Sequence, residues 1–270
     1  MPLAVPSEER RAPLFELELG DLDQPLLAVA LHHGHDLRPE VAALVALDDR
    51  RRRHEEDPLS GSWATLAHNT LVALRSRFEV DLNRPPELAV YLRPEDCWGL
   101  TVWRRRPPPE VTERSLAEHA RFYRAAREAI ELLLARHPHV LVLDLHSYNH
   151  RRRGRSSPPE DPAKNPDLNV GTGSMDRARW APVVDAFLAG ARAGRDGPID
   201  VRENVRFLGG YFPGWVHRTF PDRACALALE VKKTFMDEWT GEIELARLRG
   251  WREVLRAGTG AALAALRELR

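Results

Sequence analysis

The chain has 270 residues, of which 43% are hydrophobic and 30% are charged, and this is the composition of an ordinary globular protein. Its 40 Lys and Arg balance its 40 Asp and Glu, so the formal net charge is zero. This balance argues against a general nucleic-acid or anionic-membrane binder. The two cysteines, Cys97 and Cys225, are too few for a disulfide framework and fit a reducing compartment.

No apolar run is long enough to span a bilayer, and residues 1–13 are polar and lack the apolar core of a signal peptide. We therefore expect a cytoplasmic protein that binds neither membranes nor nucleic acids. The sequence shows no internal repeat and no clear linker. This predicts a single domain over residues 1–270, with residues 1–13 as a flexible N-terminus.

Apolar runs and their flanking residues predict alternating strands and helices. Strands are expected at residues 14–19, 25–32, 78–82, 140–146 and 224–231. Helices are expected at residues 40–47, 60–74, 113–136, 175–193 and 238–270, the last as one or two helices. Two segments are predicted to be irregular, the long polar stretch at 149–173 and the glycine-containing loop at 205–215.

Three polar residues stand at the ends of apolar strands, namely His32, His146 and Glu230. In open α/β sheets, ligands bind beyond the carboxyl ends of strands. Alanines two and four residues before His32 and Glu230 lie on the same predicted strand faces and leave room for a crowded site. Asn83 and Arg84 follow a fourth predicted strand. We therefore expect these side chains to meet in one site.

His146 taken alone has two interpretations. Strand alternation places Asp144 one pleat below His146 on the same face. A carboxylate there either satisfies a buried core histidine or orients the imidazole of a metal ligand, as outer carboxylates do in metal sites. The other strand-end residues favour the metal ligand.

These residue types suit metal-assisted hydrolysis. Catalytic zinc takes three protein ligands from His and carboxylate side chains and leaves one position open. A nearby Glu can take a proton from the attacking water. The fork of an Arg can hold a substrate carboxylate in a bidentate pair. The pattern therefore predicts metal-assisted hydrolysis, with Zn2+ as a metal that suits these ligands.

Several of these residues resemble the active site of zinc carboxypeptidases. Asn83-Arg84 resembles the motif with which those enzymes hold the terminal carboxylate of the substrate. His146-Ser147-Tyr148 resembles the His-Ser-Tyr that carries their third zinc ligand, and Glu230 resembles their catalytic glutamate. The order along the chain, beginning with His32, is the same. The resemblance implies an α/β fold, a three-layer α/β/α sandwich with a mixed, largely parallel sheet.

A closer resemblance is to the N-formylglutamate amidohydrolase family, which shares this fold. Residues 76–85, SRFEVDLNRP, resemble its signature. Further similar stretches follow in order at residues 166–172, 209–211, 227–230 and 236–238. The resemblance implies a zinc-dependent amidohydrolase that cleaves the amide bond of an N-acyl amino acid such as N-formylglutamate.

The resemblance also implies a set of metal ligands. His32 and His146 would hold Zn2+, with a third ligand between them in the chain. The His-x-x-Glu of carboxypeptidases is absent, because His35 stands three residues after His32. The third ligand is then Glu56, which we favour, or His35, or Asp57.

The same resemblance assigns the remaining roles. Glu230 would be the general base, and Asn83-Arg84 would hold the α-carboxylate of the substrate. Arg77 or Arg218 would hold a side-chain carboxylate and stabilise the oxyanion. Tyr211 would either polarise the substrate or pack.

Two alternatives remain open at the level of the sequence. The protein could be a carboxypeptidase-like peptidase or deacylase that acts on a peptide or a conjugated amino acid. It could also be a catalytically inactive binding protein of the same fold, an alternative that the missing His-x-x-Glu motivates. A closed pocket beside Arg84 would favour a free amino acid, and an open cleft would favour a peptide.

Overall fold

The structure is a computed structural model, and it describes residues 13–269. The predicted flexible N-terminus lies outside the described residues, apart from Pro13. No helix within residues 13–269 is long and apolar enough to cross a membrane.

Seven strands form one mixed sheet in the order β1-β3-β2-β4-β7-β5-β6. The strands are β1 (Phe15–Leu19), β2 (Leu26–Ala30), β3 (Asn69–Ala73), β4 (Val140–Tyr148), β5 (Leu168–Gly171), β6 (Val201–Glu203) and β7 (Ala224–Lys232). β3, β2, β4 and β7 run parallel to one another. β1 pairs antiparallel with β3, and β5 pairs antiparallel with β7 and parallel with β6. The predicted mixed, largely parallel sheet is confirmed.

Helices cover both faces of the sheet. They are α1 (Pro39–Ala42), α2 (Asp49–Glu55), α3 (Ser60–Ala64), α4 (Pro109–Leu134), α5 (Ala181–Ala193), α6 (Tyr211–Thr219) and α7 (Leu245–Glu268). On one face α3, α5 and α7 enclose a core with side chains of the sheet, and on the other face α4 and α6 do the same. The architecture is therefore the three-layer α/β/α sandwich expected from the sequence.

β4 shows why a continuous apolar run forms the centre of such a sheet. All nine of its residues are buried. Leu141, Leu143 and Leu145 pack in one core, while Val140 and Val142 pack in the other. A strand covered on both faces needs apolar residues at every position rather than at alternate ones. The strand continues past its predicted end at residue 146 to Tyr148.

Two element predictions in the first third of the chain are wrong. Residues 60–74, predicted as one helix, divide into α3 and the strand β3. Residues 78–82, predicted as a strand, form turns, in which Glu79 N donates to Ser76 O (2.9 Å) and Arg84 N donates to Asp81 O (3.3 Å). The apolar side chains of this segment are buried without a strand partner, so burial alone produced the strand-like pattern.

Short elements were also missed or misplaced. β5 lies in the segment predicted to be irregular, and α6 begins inside the predicted loop at 205–215. β5 and β6 have four and three residues, too short for periodicity to reveal them. Helices expected to begin at residues 175 and 238 begin at Ala181 and Leu245. The helix expected at 40–47 is the four-residue α1.

Candidate metal centre

The site lies where the parallel strands end. β2 and β4 are neighbours in the sheet, and His32 follows the end of β2 by two residues. His146 lies near the end of β4, and its Cα partner on β7 is Glu230. Parallel strands bring their carboxyl ends to the same edge of a sheet, so residues from distant parts of the chain meet there.

His32, Asp57 and His146 form a buried cluster whose ligand atoms all lie within 4.8 Å of one another. The Nδ1 of His146 lies 2.9 Å from the Oδ2 of Asp57, and the Nδ1 of His32 lies 3.5 Å from the same oxygen. Within residues 13–269 this is the one group of three such side chains close enough to hold a metal ion.

Asp57 reaches the cluster from the turn that follows α2. Its backbone N–H donates to the carbonyl of His32 (2.9 Å), which ties the turn to the end of β2. Lys233 donates to the carbonyls of His54 (3.0 Å) and Glu56 (2.6 Å) and so fixes the chain on the approach to Asp57. Burial disfavours the charged carboxylate, but hydrogen bonds from His146 and His32 outweigh burial and hold the pKa of Asp57 well below its usual value.

The outer nitrogen of each histidine faces a second carboxylate. The Nε2 of His32 lies 2.7 Å from the Oδ1 of Asp81, and the Nε2 of His146 lies 2.9 Å from the Oδ1 of Asp144. Metal-binding histidines are commonly oriented by such carboxylates. The arrangement leaves both Nδ1 atoms directed at Asp57. Two imidazole nitrogens and one carboxylate oxygen that converge in this way fit a divalent metal ion.

Asp81 is itself held in place. Arg77 donates to its Oδ2 (2.7 Å), the hydroxyl of Tyr91 donates to the same oxygen, and the backbone N–H of Asn83 donates to its Oδ1 (2.8 Å). Although burial works against ionisation, the charge of Arg77 lowers the pKa of Asp81 well below its usual value. Asp81 therefore remains a carboxylate that can accept a hydrogen bond from His32.

Glu230 stands beside this cluster in the wall of the cavity. Its neighbours across the sheet are His146 on β4 and Asn169 on β5. Burial raises the pKa of Glu230 to about 7, with repulsion from Asp57 and Asp144 adding to the effect and His146 opposing it. A carboxyl group with a raised pKa at the edge of a polar cluster is suited to proton transfer.

A cavity of about 640 Å³ opens over these groups. Small-molecule sites commonly have volumes of roughly 300–1,000 Å³. Besides His32, Asp57, His146 and Glu230, the wall contains five basic side chains, Arg77, Arg84, Arg152, Arg206 and Lys233. The cavity therefore combines a candidate metal site with groups that attract anions.

Comparison with known proteins identifies the family of the chain. The model of the N-formylglutamate amidohydrolase family matches residues 24–236. The chain belongs to the N-formylglutamate amidohydrolase family. It is 31% identical over 232 residues to an N-formylglutamate deformylase of Pseudomonas aeruginosa, with 79% of this chain and 83% of that protein covered.

Two solved structures share the fold of this family member. An N-formylglutamate amidohydrolase from Ralstonia eutropha superposes with a TM-score of 0.71 and 18% identity, over 93% of this chain and 98% of that one. A gene product of Agrobacterium tumefaciens superposes with a TM-score of 0.68 and 19% identity, over 94% of this chain and 96% of that one. At these identities the likeness concerns the fold alone.

Not all of the residues predicted as metal ligands lie in the metal cluster. His32 and His146 lie in it, and Asp57 lies with them in place of the favoured Glu56. The Oε2 of Glu56 lies 2.6 Å from the Nδ1 of His35, and Ser76 donates to the other oxygen (2.5 Å). His35 and Glu56 therefore form a separate pair, in which Glu56 is buried and His35 is partly exposed.

The Asn83-Arg84 pair lies in the cavity wall. The Oδ1 of Asn83 accepts from the backbone N–H of Phe212 at the start of α6 (3.0 Å), and its Nδ2 lies 3.4 Å from the Nε2 of His146. The guanidinium of Arg84 makes no hydrogen bond or ion pair with any residue from 13 to 269. It is therefore open to an anionic ligand.

The other predicted substrate residues are placed differently. Arg77 lines the cavity, but its guanidinium is engaged by Asp81 and lies 4.8 Å from the ring centre of Trp98. Tyr211 lines the same cavity, with the guanidinium of Arg218 5.5 Å from its ring centre. Arg218 itself is exposed and lines a smaller, separate cavity.

From the sequence, no role was assigned to Arg206, Asn169 or Lys233, although Asn169 lies in the similar stretch at residues 166–172. Lys233 directly follows β7, and its buried amine donates to backbone carbonyls at the end of α2, which is distant in the sequence. Its neighbour Lys232 pairs with Asp167 (2.9 Å) rather than with Glu230. No local pattern distinguishes the two lysines, because their roles depend on which parts of the chain meet at the end of β7.

Proposed function

We propose that the protein is a zinc-dependent amidohydrolase that cleaves the amide bond of an N-acyl amino acid such as N-formylglutamate. The observation that carries the proposal is the buried cluster of His32, Asp57 and His146 with Glu230 beside it and the open guanidinium of Arg84 in the same cavity. The similarity to an N-formylglutamate deformylase supports the choice of substrate.

His32, Asp57 and His146 would hold the zinc ion. Zinc, when bound, would supply a Lewis acid that polarises the amide carbonyl and acidifies the attacking water. Asp81 and Asp144 keep the two imidazoles oriented with Nδ1 toward the metal position, which limits the rearrangement needed on binding.

Glu230 would act as general base and then as general acid. Its carboxylate accepts a proton from the attacking water and delivers it to the leaving amine nitrogen, so that the products are formate, or another acid, and the free amino acid. Its position beside His146 and in the cavity wall is consistent with both steps.

Arg84 would bind the α-carboxylate of the substrate. A free guanidinium can form two parallel hydrogen bonds with a carboxylate, which fixes orientation as well as affinity. Asn83, held by the backbone of α6, would contribute a positioned amide next to His146. A substrate anchored in this way presents its amide group to the metal cluster and Glu230.

The test is zinc content together with hydrolysis of N-formyl-L-glutamate. We expect about one zinc ion per chain in the purified protein. His146→Ala should lose both the zinc and the activity, whereas His68→Ala, which removes an exposed histidine outside the site, should keep both. Full activity after complete zinc removal, or full zinc content in His146→Ala, would contradict the proposal.

A further inference from the structure

The basic side chains of the main cavity differ in how far they are already engaged. Arg77 is bound to Asp81, and Lys233 is bound to backbone carbonyls. Arg152 is exposed and lies 3.3 Å from a carboxylate oxygen of Glu55. Apart from Arg84, the remaining cation of the wall is Arg206.

Arg206 is anchored at one end of its guanidinium only. Its Nη1 donates to Glu160 (2.9 Å) and to the side chain of Asn165. Its Nε and Nη2 make no hydrogen bond with residues 13–269. A guanidinium has five N–H donors in a planar fork, so the edge formed by Nε and Nη2 remains available for a carboxylate.

The guanidinium of Arg206 is also held in a fixed place. Its central carbon lies 5.3 Å from the ring centre of Tyr148 and 5.4 Å from that of Phe207. Only 20% of the side chain is exposed. A cation that is already stacked and anchored loses little conformational entropy when it binds an anion.

The backbone around Arg206 is tied to the strand next to Glu230. The Oδ1 of Asn169 accepts from the backbone N–H groups of Val205 (3.0 Å) and Arg206 (2.9 Å), and its Nδ2 donates to the carbonyl of Phe207 (2.8 Å). Asn169 is the Cα partner of Glu230. One buried asparagine therefore positions the Arg206 loop relative to the proposed base.

The order of the strands places Arg206 relative to the metal cluster. His32 and His146 belong to the ends of β2 and β4, Glu230 belongs to β7, and the Arg206 loop is bonded to β5. Neighbouring strands lie about 4.8 Å apart. In the strand order, the loop that carries Arg206 therefore lies beyond Glu230 on the side away from the cluster.

We propose that Arg206 is the residue that selects an acidic side chain, by binding the side-chain carboxylate of an N-acyl acidic amino acid. The inference rests on the proposed function, in which Arg84 binds the α-carboxylate. It replaces Arg77, which is engaged by Asp81, and Arg218, which lines another cavity, as the second carboxylate-binding residue. Glu160 and Asn165 position the guanidinium without occupying its free edge.

The experiment compares N-formyl-L-glutamate with N-formyl-L-glutamine, which has nearly the same shape but carries a neutral amide in place of the side-chain carboxylate. Binding is titrated by calorimetry in the zinc-loaded Glu230→Gln protein, which lacks the proposed base and so does not consume the ligand. We expect the glutamate compound to bind at least about 10-fold more tightly, because a hydrogen bond to a charged group is stronger than one to a neutral group.

Adding Arg206→Gln should reduce this preference to within about twofold, mainly by weakening the glutamate compound. Arg206→Lys keeps the charge but loses the fork, so it should retain part of the preference. Arg155→Gln, which removes an arginine outside the main cavity, is the control and should keep the full preference. An unchanged preference in Arg206→Gln, or equal weakening of both compounds, would overturn the assignment.

Hydrolysis by the protein with Glu230 intact separates the two proposals. Turnover of N-formyl-L-glutamate with a preference that Arg206→Gln retains would leave the proposed function standing and refute the role of Arg206. A binding preference lost in Arg206→Gln, without any turnover by the zinc-loaded protein, would support the subsite and refute the amidohydrolase.

Discussion

Glu56 and Asp57 are adjacent carboxylates with different surroundings. Both are buried, at 1% and 4% exposure. Asp57 faces two histidine nitrogens, whereas Glu56 accepts from Ser76 and lies against His35. Both carboxylates can ligate zinc in principle, so their positions rather than their chemistry separate their roles.

We predict that Asp57→Asn weakens zinc binding at least about 10-fold, because an amide is a poorer zinc ligand than a carboxylate. Glu56→Gln should leave the zinc dissociation constant within about threefold and lower the free energy of unfolding by about 1–3 kcal/mol, since it disturbs buried hydrogen bonds. Competition with a chelating dye and urea unfolding measure the two quantities. A larger loss of zinc affinity in Glu56→Gln than in Asp57→Asn would assign the ligand to Glu56.

Site residues at the ends of apolar strands could be predicted from the sequence. His32, His146 and Glu230 could be selected because a polar group after a buried strand is costly unless it is used. Asp57 could only be named as an alternative, because it stands in a charged segment whose exposed and buried members look alike. Its position depends on the hydrogen bond to the carbonyl of His32 and on Lys233, and neither contact leaves a local pattern.

The packing of α5 against α7 depends on a glycine. A Cβ on Gly258 would lie 3.0 Å from a ring carbon of Phe187 on α5 and 3.1 Å from the carbonyl oxygen of Phe187. Gly260 lies one half-turn further along α7, where an added Cβ would meet no atom within 4 Å. Alanine at Gly260 therefore measures the effect of helix propensity alone, and alanine at Gly258 measures that effect together with the packing against Phe187.

Gly260→Ala should stabilise the protein by up to about 1 kcal/mol, because alanine favours the helix more than glycine does. Gly258→Ala should destabilise it by about 1–2 kcal/mol. The methyl group forces α5 and α7 apart, and the free-energy cost of that separation exceeds the gain from the higher helix propensity of alanine. Chemical denaturation of both variants measures the difference. Equal stabilisation by both would show that α7 can move away from Phe187 without cost.

Long elements were predictable and short ones were not. α4 and β7 were found near their observed bounds because each has many periodic or apolar residues. β3 was assigned to a helix, although its burial alternates with period two. Five residues contain too few repeats to decide between periods when a helix precedes them by only four residues.

At the scale of the whole molecule, the fold was recognisable from the order of motifs rather than from the elements themselves. The motifs lie near the carboxyl ends of β2, β4 and β7, on β5, and in the segments after β3 and before α6. Their order along the chain therefore follows the order in which the chain forms the strands and turns around the site. The three proposed ligands come from three separate segments, and a metal ion bound to them would link β2, β4 and the turn after α2.

Such a link makes zinc a stabiliser of the folded chain by mass action. At a free zinc concentration about 1,000 times the dissociation constant, binding to the folded state alone adds about 4 kcal/mol. For a chain of this size, 1 kcal/mol raises Tm by about 2–4 °C, so saturating zinc should raise Tm by about 8–16 °C. Differential scanning calorimetry of the zinc-loaded and chelator-treated protein measures the shift.

His68→Ala should keep the full shift, and His146→Ala should lose it because one of the three ligands is gone. An equal shift in His146→Ala would mean that zinc stabilises the protein from another site.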